Sequence, residues 1–159
     1  MNGLAVALLV GVAMFGQLTA RPSLVEVKSR ASAEVVVPGD QFELVLDLTP
    51  SAGIHVYAPE VRNYRPIVLS VATRRGLSMV GAPRYPVAES YYYAPLKETV
   101  PVYQKPFRVV QVVSVDRSFT PGSLVTIDGV LTYQACDDRL CYPPRKVPLT
   151  WTVRIKETV

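Results

Sequence analysis

The sequence predicts an all-β fold, an antiparallel β-sandwich, and three observations carry the prediction. Fourteen prolines and nine tyrosines in 159 residues leave few helix-favouring stretches. Short apolar runs recur with turn dipeptides between them. Two segments keep the period-two alternation of a strand with one buried face.

The first strands are expected at residues 23–28 and 33–37, the second stopped by Pro38-Gly39. In residues 41–49, Phe42, Leu44, Leu46 and Leu48 alternate with Glu43 and Asp47, and Val45 alone breaks the polar side. The segment Gly53-Ile54-His55-Val56-Tyr57 follows, then a loop rich in Pro, Arg and Asn, then an apolar run at 67–71. Residues 81–96, with three prolines and the triplet Tyr91-Tyr92-Tyr93, read as a long loop with aromatic surface, a kind of loop often used for function. Strands are expected at 99–103, 107–115 and 124–134, with a turn at Pro121-Gly122. In the last strand Val147, Leu149, Trp151, Val153 and Ile155 share one face, and Thr150, Thr152 and Arg154 the other.

The length is that of one domain, enough to bury a core without metals or several disulfides. The net charge of +4 is spread along the chain, and no nucleic-acid motif accompanies it. Residues 1–20 carry no charged side chain, and residues 4–15 are continuously apolar or small. That stretch has the length of an export signal and is short of the roughly 20 residues a membrane-crossing helix needs. The expected organisation is therefore a signal peptide over 1–20, with an uncleaved anchor as the alternative, followed by a single domain over 21–159. Export places the chain in an oxidising compartment, where a disulfide persists.

Candidate chemistry is confined to Tyr133-Gln134-Ala135-Cys136-Asp137-Asp138-Arg139-Leu140-Cys141-Tyr142-Pro143-Pro144. With one strand arriving at Gln134 and another leaving near Lys146, the intervening residues suit a hairpin loop that sets the cysteines opposite each other. Cross-strand Cα atoms about 4.5 Å apart admit a disulfide. So short a loop stabilises by only roughly 2 kcal/mol, a weak staple. Strained or exposed disulfides exchange readily, which favours redox use, while a structural bond stays open on spacing alone. An inter-sheet immunoglobulin-type disulfide is excluded, because it joins strands far apart in sequence. Asp137 and Asp138 disfavour a thiolate and Arg139, Arg145 and Lys146 favour one, so charge does not rank the two cysteines.

The segment Tyr133 to Pro144, followed by Pro148-Leu149 and Trp151, resembles the amino-terminal periplasmic domain of DsbD-type thiol:disulfide interchange proteins, the disulfide bond corrector family. The resemblance extends through Pro38-Gly39-Asp40, the Gly53 to Tyr57 segment and Tyr85-Pro86. It implies an immunoglobulin-like antiparallel sandwich in which Cys136 and Cys141 relay electrons from a membrane-embedded thiol donor to oxidised periplasmic proteins. It also implies a thioredoxin-like or other disulfide-containing partner; because residues 21–159 hold no apolar span and no Cys-X-X-Cys motif, the donor is expected to act in trans. Further, it implies an aromatic cap over the cysteines, with Tyr91, Tyr92 and Tyr93 where such a cap lies and Tyr57, His55 and Tyr142 around the site.

Two other classes compete with a periplasmic thiol:disulfide oxidoreductase or relay domain. One is a non-catalytic exported immunoglobulin-like binding module with a structural disulfide. The other is a copper(I) or zinc site built from Cys136, Cys141 and His55, which lacks an evident fourth ligand. No cofactor and no resident metal are expected. Hydrolytic catalysis is disfavoured, because the only histidine, His55, has no nucleophile signature nearby.

Overall fold

A computed structural model describes residues 23–94 and 96–157; the expected signal peptide at 1–20 lies outside them. The twelve strands among these residues are β1 (Val25–Ala31), β2 (Val35–Val36), β3 (Gln41–Pro50), β4 (His55–Tyr57), β5 (Val68–Val71), β6 (Leu77–Arg84), β7 (Glu89–Tyr93), β8 (Glu98–Tyr103), β9 (Phe107–Val115), β10 (Leu124–Tyr133), β11 (Ala135–Cys136) and β12 (Arg145–Ile155). The protein is an all-β, immunoglobulin-like sandwich. One sheet has the order β1-β3-β9-β6, the other β2-β12-β10-β5, and a third, smaller sheet runs β11-β4-β8-β7. Every pairing is antiparallel except β2 with β12. No helix among the described residues is long and apolar enough to cross a membrane.

The alternation in β3 and β12 does what period two requires. Leu44, Leu46 and Leu48 point into the core from one sheet, and Leu149, Trp151, Val153 and Ile155 from the other, where they meet Val109, Val113, Ile127 and Leu131. Each fully buried leucine contributes about 1.5–3 kcal/mol relative to exposure. Gly129 of β10 also faces inward. A Cβ there would lie 2.9 Å from both the Ser70 carbonyl oxygen and Trp151 Cζ3, so the indole occupies the space a side chain would take. Both Pro-Gly dipeptides form turns, with φ of +95° at Gly39 and +78° at Gly122, closed by Asp40 N–H to Val37 O at 3.0 Å and Ser123 N–H to Thr120 O at 3.2 Å.

Residues 81–96 are not a long loop. β6 continues to Arg84, and Glu89–Tyr93 is the outer strand of a hairpin with β8. Of the three prolines only Pro83 lies within a strand, and β6 is an edge strand, where a missing N–H is tolerated. Pro83 falls where the β6–β9 register shifts between Val80 and Arg84. That irregularity frees the Gly81 carbonyl, which accepts a hydrogen bond from the buried side chain of Gln111 at 3.2 Å. The strand from Leu77 was not anticipated, and the strand expected at 33–37 shrinks to two residues.

The registers place the third sheet at one end of the sandwich. Tyr133 opposes Arg145, and Leu48 opposes Phe107, so β3, β9, β10 and β12 all turn at this end. There β4, which follows β3, pairs with β11, which follows β10.

Candidate functional site

The two cysteines form a disulfide with Cα atoms 4.0 Å apart. They do not sit on the β10–β12 ladder itself, as a simple hairpin between those strands requires. The ladder ends at Tyr133 and Arg145. Beyond Gln134 the chain leaves that sheet and joins the small one, where Ala135 pairs with Val56 and Cys136 with His55. Cys141 returns opposite Cys136 as an isolated bridge. Tyr142 N–H donates to the Ala135 carbonyl at 2.9 Å, and the Gln134 side-chain amide donates to the Tyr142 carbonyl at 3.0 Å, locking the neck of the excursion.

Inside the loop Asp137 organises the turn. Its Oδ1 accepts from the N–H groups of Arg139 and Leu140 at 2.8 and 2.9 Å, and its Oδ2 accepts from the Tyr142 hydroxyl at 2.8 Å. Those backbone donors, together with the tyrosine hydroxyl, hold the carboxyl below the ordinary aspartate value. Arg139 is also adjacent, but the hydrogen bonds dominate.

The disulfide is asymmetric. Cys136 is 1% exposed and packs with Tyr57, Val61, Val100 and Val102 in a small second core, with Tyr64 and Tyr91 partly covering it. Cys141 is exposed, next to Leu140 at 50% exposure. The Tyr57 hydroxyl lies 3.6 Å from Cys141 Sγ. A disulfide sulfur carries no hydrogen, so the hydroxyl is the donor. Burial pushes the Tyr57 hydroxyl up to about 12, with Tyr93, Glu98 and Tyr91 adding to the shift, so it keeps its proton throughout the physiological range.

Aromatic side chains close the site. The Tyr57 ring stacks on Tyr64 at 4.5 Å, and Tyr64 donates to Glu98 of β8. His55, 2% exposed, lies edge-on to Tyr57 at 5.7 Å and against Tyr91 at 4.5 Å. The Tyr91 hydroxyl donates to Asp138 Oδ1 at 2.7 Å, tying the β7–β8 hairpin to the cysteine loop. That bond to a carboxylate, with burial second, raises the Tyr91 hydroxyl to about 12. Burial pushes the His55 imidazole down, against the opposing pull of Asp138 and Asp137, so the ring is neutral at pH 7.

Of the residues singled out from sequence, His55, Tyr57, Tyr91, Cys136, Cys141 and Tyr142 come together here. Tyr93 shares the inward face of β7 with Tyr91, two positions away, and is half-buried, whereas Tyr92 points away and is 60% exposed. The tyrosine triplet is therefore part of a strand, and alternation decides which rings face inward, with Tyr91 packed against the Cys136 cluster. Sequence reasoning missed Tyr64, Val61, Val100, Val102 and Glu98. The β8 valines carried a period-two signal that went unassigned to a site, and Val61 and Tyr64 lie in an irregular segment with no periodicity to read. Among the described residues no group of three or more His, Cys, Asp or Glu side chains is gathered as metal ligands.

No curated protein matches this chain in sequence. Among solved structures, BcpA, the major pilin subunit of Bacillus cereus, is 9% identical with a TM-score of 0.46, over 81% of this chain and 40% of that one. AggA, the major subunit of aggregative adherence fimbriae type I from Escherichia coli, is 14% identical with a TM-score of 0.37, over 83% of this chain and 95% of that one. A family 123 glycoside hydrolase from Clostridium perfringens is 7% identical with a TM-score of 0.39, over 84% of this chain and 27% of that one. None of these likenesses bears on function. The profile of the family described as thiol:disulfide interchange protein DsbD, N-terminal, matches residues 21–150, which contain the cysteine loop, the aromatic hairpin and most of both sheets. The chain belongs to the DsbD amino-terminal domain family.

Proposed function

We propose that this protein is a periplasmic thiol-disulfide exchange module that passes two electrons from a membrane-embedded thiol donor to thioredoxin-like or other oxidised periplasmic proteins. The observation that carries the reading is the asymmetry of the disulfide, one sulfur buried under an aromatic hairpin and the other on an exposed loop. Membership of a family named for thiol:disulfide interchange supports it.

Cys141 is the sulfur a partner reaches. In the reduced protein the Cys141 thiolate attacks one sulfur of the client disulfide, whose other sulfur leaves as a thiolate and takes a proton from water. Cys136 then attacks Cys141 Sγ, the mixed disulfide breaks, and the client leaves with both cysteines reduced. Recharging runs in the opposite sense: a donor thiolate attacks Cys141 Sγ and Cys136 departs with the electron pair, then the donor's second thiolate attacks the donor sulfur of the mixed disulfide, Cys141 leaves as a thiolate and the donor is left oxidised. Tyr57, donating to Cys141 Sγ, stabilises a thiolate there and positions Cys141 as the attacking group. The β7–β8 hairpin, through Tyr91 and Tyr93, caps Cys136 until a partner displaces it.

Trapping tests this assignment. A Cys136→Ser variant, reduced and mixed with an oxidised thioredoxin-like protein, is expected to accumulate a mixed disulfide through Cys141, and Cys141→Ser is expected to accumulate little. Equal trapping by both variants, or by neither, contradicts it.

A further inference from the structure

The resolving step poses a problem that the disulfide alone does not solve. Cys136 sits in an apolar pocket, surroundings that disfavour the thiolate that must attack. The residue directly opposite it across the β4–β11 pair is His55. Cross-strand partners have Cβ atoms about 4.5–5.5 Å apart, within reach of an imidazole nitrogen and a sulfur. His55 is the only histidine in the chain and is almost wholly buried, and no side-chain hydrogen bond among the described residues engages it. Tyr57 and Tyr91 hold its ring from two sides.

We propose that His55 is the proton acceptor for Cys136 in the resolving step of thiol-disulfide exchange. The inference rests on the exchange function above and adds a residue role to it. The Cys136 S–H bond breaks and its proton passes to the imidazole. The Cys136 thiolate attacks Cys141 Sγ, the Cys136–Cys141 bond forms, and the bond between Cys141 and the client breaks. The client sulfur leaves as a thiolate and takes the proton as the imidazolium returns to neutral. In recharging, the same groups act in reverse and the imidazolium protonates the departing Cys136.

The surroundings suit that role. The groups facing the imidazole are Tyr57 on its own strand, Cys136 on β11, Tyr91 on β7, and the carboxylates of Asp138 and Asp137 on the cysteine loop. Both tyrosines stay protonated and neutral across the working range. The neutral resting ring is ready to accept a proton, and the two carboxylates stabilise the imidazolium during the step. Asp138 is itself fixed by the Tyr91 hydroxyl, so closing the cap also aims the counter-charge.

The test is rapid mixing of the reduced protein with excess oxidised glutathione, acid quench, and mass analysis of two phases, glutathionylation at Cys141 and its resolution to the internal disulfide. His55→Gln is expected to slow resolution about a hundredfold at pH 7, the lower range for a lost general base, and to leave the first phase within about twofold. The wild-type resolution rate should level off near neutral pH and fall on acidification as the imidazole protonates. The variant's rate should keep rising into the alkaline range as the bare thiol ionises. His55→Tyr, which keeps an aromatic ring in the pocket, should be as slow as His55→Gln. If His55→Tyr resolves at the wild-type rate, or if both variants keep the wild-type rate and pH profile, His55 only packs and the inference is overturned. A wild-type protein that forms no mixed disulfide refutes instead the exchange function on which the inference rests.

Discussion

Replacing Tyr91 by Phe deletes one atom, the hydroxyl oxygen that donates to Asp138 Oδ1 at 2.7 Å, and leaves the ring that lies 4.5 Å from His55. A hydrogen bond to a buried carboxylate is worth about 1.5–3 kcal/mol. This carboxylate is solvent-exposed, which reduces the figure to about 0.5–1 kcal/mol. If the β7–β8 hairpin must lift before a reagent reaches Cys136, that loss raises the open population about two- to fivefold. Tyr91→Ala removes the half-buried ring as well, about another 1.5 kcal/mol, and raises it by roughly a further tenfold. Tyr92→Ala serves as the control, because Tyr92 stands on the opposite face of the same strand. The assay is iodoacetamide modification of reduced Cys136 in a Cys141→Ser background at fixed pH, under conditions where opening and closing outpace alkylation. The expected order of rates is Tyr91→Ala, then Tyr91→Phe, then Tyr92→Ala equal to the unmodified background. Rates within twofold for all of them, or Tyr92→Ala as fast as Tyr91→Ala, refute the cap.

Removing the disulfide with Cys136→Ala and Cys141→Ala should cost only roughly 2 kcal/mol in denaturant unfolding, since the closed loop is short. By contrast, Leu131→Ala in the fully buried core should cost about 2–5 kcal/mol. Asp137, whose folded pKa lies below the ordinary 3.8, contributes stability that is present above about pH 4 and lost as pH falls through the lower folded value. Asp137→Asn should therefore lower the Tm at neutral pH, with a gap that narrows on acidification. His55 has a folded pKa below the ordinary 6.5, so between the two values the unfolded chain binds the extra proton and stability falls as pH drops. Scans of Tm against pH should show that slope in the unmodified protein and lose it in His55→Gln.

The strands that form the sandwich core were legible because one face is buried and the other wet. Phe42 to Leu48 and Val147 to Ile155 announce themselves through alternation, and each Pro-Gly pair marks a turn that the backbone makes with positive φ. Edge strands β6 and β7 were not legible. β6 carries Gly81 and Pro83, both strands bury little, and they owe their existence to pairing with β9 and β8 rather than to their own pattern. The same limit applies to the site. The spacing of the cysteines made a bond reasonable, but the step from one sheet to another at Gln134 depends on the distant segment His55–Tyr57, which local sequence does not reveal. Tyr64 and Glu98 meet only because the fold brings a loop against β8. Asp137, in contrast, does turn work typical of its residue type, accepting from two backbone N–H groups.

The reduction potential of the Cys136–Cys141 pair decides whether the bond is an exchange couple. The protein is equilibrated in graded glutathione buffers, quenched with an alkylating agent and weighed to count free thiols. The expected potential lies above about −270 mV and is reached within minutes, as for couples that exchange with partners. A potential below about −300 mV with slow equilibration contradicts it and makes the bond a structural one.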